Sequence, residues 1–352
     1  MAKSVIIDVR EACREQKTGK GQWTYGFVTE LLRRDVSLTL VTDTELPKEW
    51  QRASVKQFSQ QGLRWHLSVL RWLRSCGSST YISPTSYIVP AFAPKSIACI
   101  TVVHDLIAFL GEPHDRKATL IERWMLPRAV RRSAHFCVTS DATKNDLLAR
   151  YPHLDKEKVT SIFAGPVHLH PERAQPDGST ILCIATLCPR KNQLRLIQAF
   201  AALPEEFRHK HQLVLAGGRG WDDASIIEAT KNTPGITWRG YVNAAEYESL
   251  LHTCTVFALP SLYEGFGMQI LDALQRGIPV LTSDRGSLRE LAQGAALIVH
   301  PESTDSIAKG LERLLTDAPL RVQLREKGMQ RAEVYSWRRT VDLFLGTLSL
   351  PC

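Results

Sequence analysis

Residues 255–290 read TVFALPSLYEGFGMQILDALQRGIPVLTSDRGSLRE. An apolar run rich in β-formers ends at Pro260, and a polar loop follows in which Glu264 is flanked by Gly265 and Gly267. Then come apolar residues at helical spacing (Ile270, Leu271, Leu274) and a second strand-like run, PVLTSD. Strand, loop, helix and strand in so short a stretch require two parallel strands joined by a crossover helix. The alternation continues outward. ILCIATL (181–187), HQLVLAGG (211–218) and ITWRG (236–240) precede it as strands, with QLRLIQAFAAL and AAEYESLLHTC as the helices between. In the first half SVIIDV, SLTLVTD, SIACITVVH and HFCVTS alternate with TYGFVTELLRR and DATKNDLLARY. Such a pattern predicts parallel sheets covered by helices on both faces.

The pattern breaks at residues 164–180, AGPVHLHPERAQPDGST, which is polar, carries Pro and Gly, and has no period. A chain of 352 residues exceeds one core of roughly 150 residues. The expected organisation is therefore two Rossmann-like, doubly wound α/β domains, residues 1–168 and 169–335, with a helix over 336–352 packing back toward the first. Ligands of open α/β sheets bind outside the carboxyl ends of the strands, so the chemistry belongs in those loops.

Composition narrows the class. Hydrophobic residues make up 44% and charged residues 23%, which describes a globular chain and excludes disordered and fibrous ones. The start, MAKSVIIDVREAC, has too short an apolar run for a signal peptide, and no stretch approaches the ~20 apolar residues of a spanning helix. A cytoplasmic setting is expected. None of the eight cysteines forms a C-x-x-C pair, and Cys99, Cys137 and Cys183 sit in apolar strand-like runs, so reduced, buried thiols are expected. The net charge is +8, and all of it falls in residues 1–175, where 25 Lys and Arg face 17 Asp and Glu. That half should meet something anionic: a phosphate-bearing substrate, a membrane surface or nucleic acid.

At the strand-to-helix turn before Met268, glycines let the backbone approach a ligand, and the helix N-terminus offers N–H groups and a positive dipole end to phosphate. Glu264 there could accept hydrogen bonds from sugar hydroxyls; read alone, it is equally a helix-start carboxylate. Asp272, eight residues on, could reach a ribose. Arg190 and Lys191 precede another helix, where two cations are unfavourable unless an anion sits among them.

In that order, S-L-Y-E-G-F-G, an acidic-Ala dipeptide, G-x-P-V, a Ser-Asp loop and a final Glu, the segment resembles the E-x7-E region of the retaining, family-four glycosyltransferases of GT-B fold, and among them bacterial polysaccharide mannosyltransferases. TLCPRKNQLRLIQAF, GYVNAAEYESLLHTC, the closing YSW, TGKGQWTYGFVTEL and TVVHDL resemble other parts of the family in the same order, so the resemblance covers nearly the whole chain. It implies that Glu264 binds the donor sugar, that Gly265, Phe266 and Gly267 present backbone to sugar and diphosphate, and that Arg190 and Lys191 neutralise the leaving diphosphate. It further implies that His104 reaches the donor sugar with Asp105 as its structural neighbour, that Gly19 and Gly21 let the acceptor-side loop approach, and that Leu288 and Glu290 close the loop beside the nucleotide. Two departures stand out: Asp272 replaces the usual Glu at the second acidic position, which weakens its expected ribose contact, and ATLCP before Arg190 lacks the usual Gly-Arg.

The resemblance also implies transfer with retention, by front-side displacement in which the leaving diphosphate helps to deprotonate the acceptor. No cofactor and no metal are implied. WDD at 221–223 is the nearest approach to a metal-holding motif and reads better as a helix cap. GDP-mannose is the leading donor, with UDP-sugars open, and the acceptor is a glycan, lipid-linked or soluble. LRWHLSVLRWLR (63–74), with Leu63, Leu67, Leu70 and Leu73 at helical spacing, is either a surface helix with a core stripe or an interfacial helix on anionic lipid; RWMLPRAVRRSAH adds cations to the same half. The second option would make the protein peripheral at the inner face of the cytoplasmic membrane. Rival functions are a GT-B epimerase or phosphorylase and a non-catalytic, partner-binding relative. Nucleic-acid binding is set aside for want of any reading motif.

Overall fold

The computed structural model describes residues 5–168 and 171–348. It divides into two compact units, one holding the chain up to Val167 together with the C-terminal segment from Ser336, the other running from His168 to Tyr335.

In the first unit seven strands form one sheet: β1 (Val5–Asp8), β2 (Leu38–Thr42), β3 (Ser54–Gln57), β4 (Ser79–Ser83), β5 (Ile97–Val103), β6 (His135–Val138) and β7 (Val159–Ser161). Their spatial order is β3-β2-β1-β4-β5-β6-β7, and every pairing is parallel, with Val5 opposite both Leu38 and Thr80. The helices are α1 (Gly19–Leu31), α2 (Gly62–Leu73), α3 (Ile88–Phe92), α4 (Ile107–Leu110), α5 (Arg116–Arg132) and α6 (Asp141–Arg150). The second unit repeats the topology with β8 (Thr180–Ile184), β9 (Gln212–Ala216), β10 (Ile236–Trp238), β11 (Val256–Leu259), β12 (Val280–Thr282) and β13 (Leu297–Ile298) in the order β10-β9-β8-β11-β12-β13, again parallel. Its helices are α7 (Gln193–Ala201), α8 (Glu205–Lys210), α9 (Ala224–Asn232), α10 (Ala244–Thr253), α11 (Met268–Gln275), α12 (Leu288–Leu291), α13 (Thr304–Thr316) and α14 (Ala318–Ala332). In each sheet the direction of winding reverses once, between β1 and β4 and between β8 and β11. Those two switch points are where a crevice opens at the strand ends.

The last helix, α15 (Trp337–Leu348), belongs to the first unit. Trp337 is 4% exposed, its indole donates from Nε1 to the Pro166 carbonyl at 2.7 Å, and it meets Trp23 edge-on at 6.0 Å. A Cβ at Gly26 would stand 2.1 Å from the Trp337 ring, so only glycine admits this packing. Removing a buried Trp of this size costs about 3–5 kcal/mol. We expect Trp337→Ala to lower the unfolding free energy of the first unit by that amount in a urea titration; a loss under about 1 kcal/mol would show that α15 is only loosely attached.

Two local expectations need revision. On α2, Trp65 and His66 are buried with Val69, Leu70 and Leu73, whereas Leu63 and Leu67 are 65% and 57% exposed. The leucines thus do not form one stripe; the core face is offset toward the Trp65 side. In WDD, Asp223 does sit at the cap position of α9, but its carboxylate pairs with Arg219 at 2.8 Å and caps no backbone N–H of the helix. Seven cysteines among the described residues are free thiols, with Cys99, Cys137 and Cys183 buried on β5, β6 and β8.

Candidate active site

The strongest cluster stands at the switch point of the second sheet. β8 and β11 are neighbours, so the loops leaving their carboxyl ends run side by side. Asn192, held at φ +63° where Asn is better tolerated than most residues, joins them through its buried side-chain amide, which donates to the carbonyls of Pro260 at 2.9 Å and Pro301 at 2.6 Å. Leu262 N–H donates to the Arg190 carbonyl at 2.9 Å and ties the same loops again.

Between them lies Glu264, only 5% exposed. Arg190 Nη1 donates to Glu264 Oε2 at 3.1 Å and to the Tyr263 carbonyl at 2.8 Å. Lys191 Nζ donates to Glu264 Oε1 at 2.5 Å, and Ser261 Oγ donates to the same oxygen at 2.7 Å. Burial alone would push this carboxyl up. The charges of Lys191 and Arg190 and the hydrogen bonds from Lys191 and Ser261 outweigh it and hold the group below the usual carboxylate range. One carboxylate against two cations leaves a surplus positive charge among mostly buried side chains, which suits an anion.

The backbone is constrained to match. Gly267 caps α11 with φ +98°, no side chain caps that helix, and a Cβ there would press on Leu288 at 3.0 Å. Gly286 has φ +57°, and a Cβ would meet the Glu264 carbonyl at 2.4 Å; the N–H and hydroxyl of Ser287 both donate to that carbonyl at 3.0 Å. Phe266 packs edge-on against Tyr335 at 5.4 Å, and Arg331 links Tyr335 Oη (2.8 Å) to the Glu290 carbonyl (2.6 Å).

The structure thus brings Arg190, Lys191, Glu264, Gly267 and Leu288 together. Asp272 is set apart. It is fully buried, and Tyr247 Oη donates to its Oδ2 at 2.5 Å, while Arg276, tied to Glu248 at 2.6 Å, donates to its carbonyl. The shorter acid is therefore bound to the neighbouring helix α10. Asn192, Ser261, Ser287 and Tyr335 were missed as supports. An Asn directly after two cations, and Ser after Gly286, were the available signals.

In the first unit, His104 follows β5 and is 8% exposed. Its Nε2 lies 2.7 Å from the carbonyl of Pro84, which follows β4, and its ring meets Trp23 of α1 edge-on at 5.2 Å. Burial first, then the nearby Lys20, lower its pKa to about 4, so the imidazole is neutral at pH 7. A carbonyl accepts only, so Nε2 carries the hydrogen and Nδ1 is the acceptor. Thr139 and Thr143 hydroxyls donate to the His104 carbonyl at 2.9 and 3.2 Å. Asp105 Oδ1 accepts from Ile107 N–H at 3.3 Å and so turns the chain into α4. Of the two glycines, Gly21 faces the Glu11 carbonyl, 2.5 Å from where a Cβ would be, whereas nothing lies within 4 Å of that position at Gly19. Between them Lys20 reaches Glu122 of α5 at 3.2 Å.

Two parallel-sheet Rossmann units of this topology define a GT-B protein. Residues 169–331, which carry the Glu264 cluster, match the family of glycosyl transferases group 1, and this part of the chain is a domain of that family. O-antigen chain mannosyltransferase B of Escherichia coli is 36% identical over 159 residues, 44% of this chain and 42% of that protein. Serotype-specific mannosyltransferase WbdA of Escherichia coli is 26% identical over 269 residues, 69% of this chain and 32% of its own length. The chain thus spans less than half the length of these curated relatives. Among solved structures, Anabaena Alr3699/HepE in complex with UDP and glucose superposes with a TM-score of 0.79 at 16% identity, covering 99% of both chains. WaaG, a glycosyltransferase involved in lipopolysaccharide biosynthesis, does so with a TM-score of 0.72 at 15% identity, covering 99% of this chain and 100% of the other. At such identities the likeness is one of fold.

Proposed function

We propose that the protein transfers a hexose, with mannose from GDP-mannose as the leading case, onto a glycan in the assembly of a cell-surface polysaccharide. The observation that carries this reading is the buried Glu264 carboxylate held between Arg190 and Lys191 at the sheet switch point. Glu264 accepts hydrogen bonds from donor sugar hydroxyls. Arg190, Lys191 and the uncapped start of α11 face the diphosphate, whose charge grows as it leaves. The bond from the anomeric carbon to the phosphate oxygen breaks, the acceptor oxygen bonds to that carbon on the same face, and the acceptor proton passes to the departing phosphate. Configuration is retained, and protein cations supply the charge stabilisation without a metal. His104, neutral and with Nδ1 as acceptor, serves as a hydrogen-bonding group of the first unit. Asp272, engaged by Tyr247, acts by fixing α10 to α11. The relative named for O-antigen chain mannosyl transfer supports the sugar and a polysaccharide product; a lipid-diphosphate-linked acceptor at the inner face of the cytoplasmic membrane is part of the same proposal.

The test is a thermal-shift titration against GDP, UDP, ADP and dTDP, followed by a transfer assay with the matching sugar. A diphosphate present at a hundredfold excess over its Kd adds about 2.7 kcal/mol and raises the midpoint by several degrees. Selective stabilisation by GDP and mannosyl transfer from GDP-mannose are expected. Stabilisation by UDP alone would replace the donor, and no response to any of the four would favour a non-catalytic, partner-binding relative.

A further inference from the structure

The chemistry above leaves one surface of the first unit unexplained. Every exposed side chain on α2 and α5 is apolar or basic. On α5, Leu120, Ile121 and Trp124 share one face and are 61%, 40% and 62% exposed, and its remaining exposed side chains are all Lys or Arg. On α2, Leu63 and Leu67 stand out between Arg64 and Arg71. α3 packs against both helices and exposes Phe92 at 50%, so the three form one layer. From Gln51 to His104 the chain has six Lys and Arg and no Asp or Glu. The opposite faces of these helices are ordinary core: Trp65, Val69 and Leu73 on α2, Leu126, Ala129 and Val130 on α5.

Large apolar side chains raised above a field of cations fit few occupants. A nucleic-acid backbone would satisfy the cations and leave the leucines in water. A second copy of this face would set like charge against like. A bilayer with anionic headgroups satisfies both sets, because leucine and tryptophan reach the acyl boundary while arginine stems follow them and keep their heads among the phosphates. Arg128, 5.6 Å from the Trp124 ring, is already arranged in this way. We propose that the outer face of α2, α3 and α5 docks on an anionic lipid bilayer, with Trp124 and Leu120 as its main anchors. This extends the lipid-linked acceptor reading given above, and it can fail independently of that reading. The buried face of α5 carries Glu122, which pairs with Lys20 in the first turn of α1, so the docking helix is tied to the glycine-bearing start of that helix.

Flotation of the full chain with vesicles of phosphatidylcholine, with and without 30 mol% phosphatidylglycerol taken as roughly a bacterial anionic content, tests the proposal. Partitioning should be at least about tenfold stronger on the anionic vesicles and should fall as salt is raised. Leu120→Gln with Trp124→Gln should reduce it about tenfold, and Arg128→Gln with Arg131→Gln by a similar factor. These positions are exposed, so melting temperature and nucleotide response should match the parent protein. Acyl chains brominated near the headgroup should quench tryptophan fluorescence in the parent protein, and Trp124→Phe should remove most of that quenching. Absence of binding to anionic vesicles would overturn the proposal, as would undiminished binding by the Leu120/Trp124 variant. Self-association in lipid-free buffer that this variant abolishes would assign the face to a second copy instead. The nucleotide titration on the same preparations separates any of these results from failure of the catalytic reading.

Discussion

Glu264→Gln should abolish most transfer and at the same time tighten the binding of free nucleoside diphosphate. The two effects come from one geometry. Glu264 sits between Arg190 and Lys191 and cancels half of their charge. With the carboxylate replaced by an amide, the donor sugar meets only a neutral, weaker acceptor, and loss of one preorganised charge-assisted hydrogen-bonding group of this kind costs about a hundred- to a thousandfold in turnover. The cations meanwhile no longer share their charge with a neighbour, so an incoming diphosphate meets a larger surplus, and its affinity should rise about tenfold, equivalent to about 1.4 kcal/mol. The unliganded variant should melt lower, because breaking a buried pair by removing one partner costs about 3–5 kcal/mol, and added diphosphate should restore much of that loss. Arg190→Ala with Lys191→Ala has the opposite sign on binding: transfer and diphosphate affinity fall together. Calorimetric titration with GDP or UDP alongside a transfer assay reads both quantities. Ordinary turnover by Glu264→Gln would remove the assignment, and unchanged diphosphate affinity would mean that the carboxylate does not compete for the cations.

How much of this was legible beforehand depended on which physical signal each element carries. Strands buried on both faces announce themselves as apolar runs, and β1, β2, β5, β6, β8, β9, β11 and β12 were visible for that reason. β4 was not, because STYIS is rich in hydroxyls; its Ser79, Thr80 and Ser83 are buried, and the hydroxyls of Ser79 and Ser83 bond to nearby backbone carbonyls. β3 was missed because it is an edge strand with all four residues exposed, and it lacks the pattern that burial imposes. At the site, residue type and spacing singled out Glu264, Arg190 and Lys191, yet nothing in spacing shows that the two cations clasp the carboxylate, since Arg190 and Glu264 are 74 residues apart in sequence and β8 and β11 are adjacent only in the sheet. Asp272 shows the reverse case. Its type suggested a ligand contact, and its partner Tyr247 could be found only once α10 and α11 were placed side by side.

Acid should unfold the first unit well before the second. Burial, followed by the charge of Arg10, lowers the pKa of His66 to about 4, and burial and Lys20 do the same for His104. Both titrate near 6.5 in the unfolded chain. The sign follows directly. Above pH 6.5 neither state holds the proton and nothing is lost. As pH falls from 6.5 to about 4 the unfolded chain takes up protons that the folded one refuses, so stability falls across that window and then levels off. Each histidine contributes on the order of 3 kcal/mol over that range, and two of them approach the whole stability of a small domain. The paired carboxylate of the second unit behaves differently: Glu264 is held below its ordinary value, so its contribution is lost only as pH falls through the usual carboxylate value and below. Six of the eight tryptophans lie in the first unit, so tryptophan emission followed through an acid titration reports mainly on it. A transition between about pH 6 and 4, moved downward by His66→Asn or by His104→Asn, is the expected result. An acid midpoint that neither substitution shifts would show that these imidazoles accept protons in the folded state as readily as in the unfolded one. The neutral His104 of the first unit would then have to be abandoned.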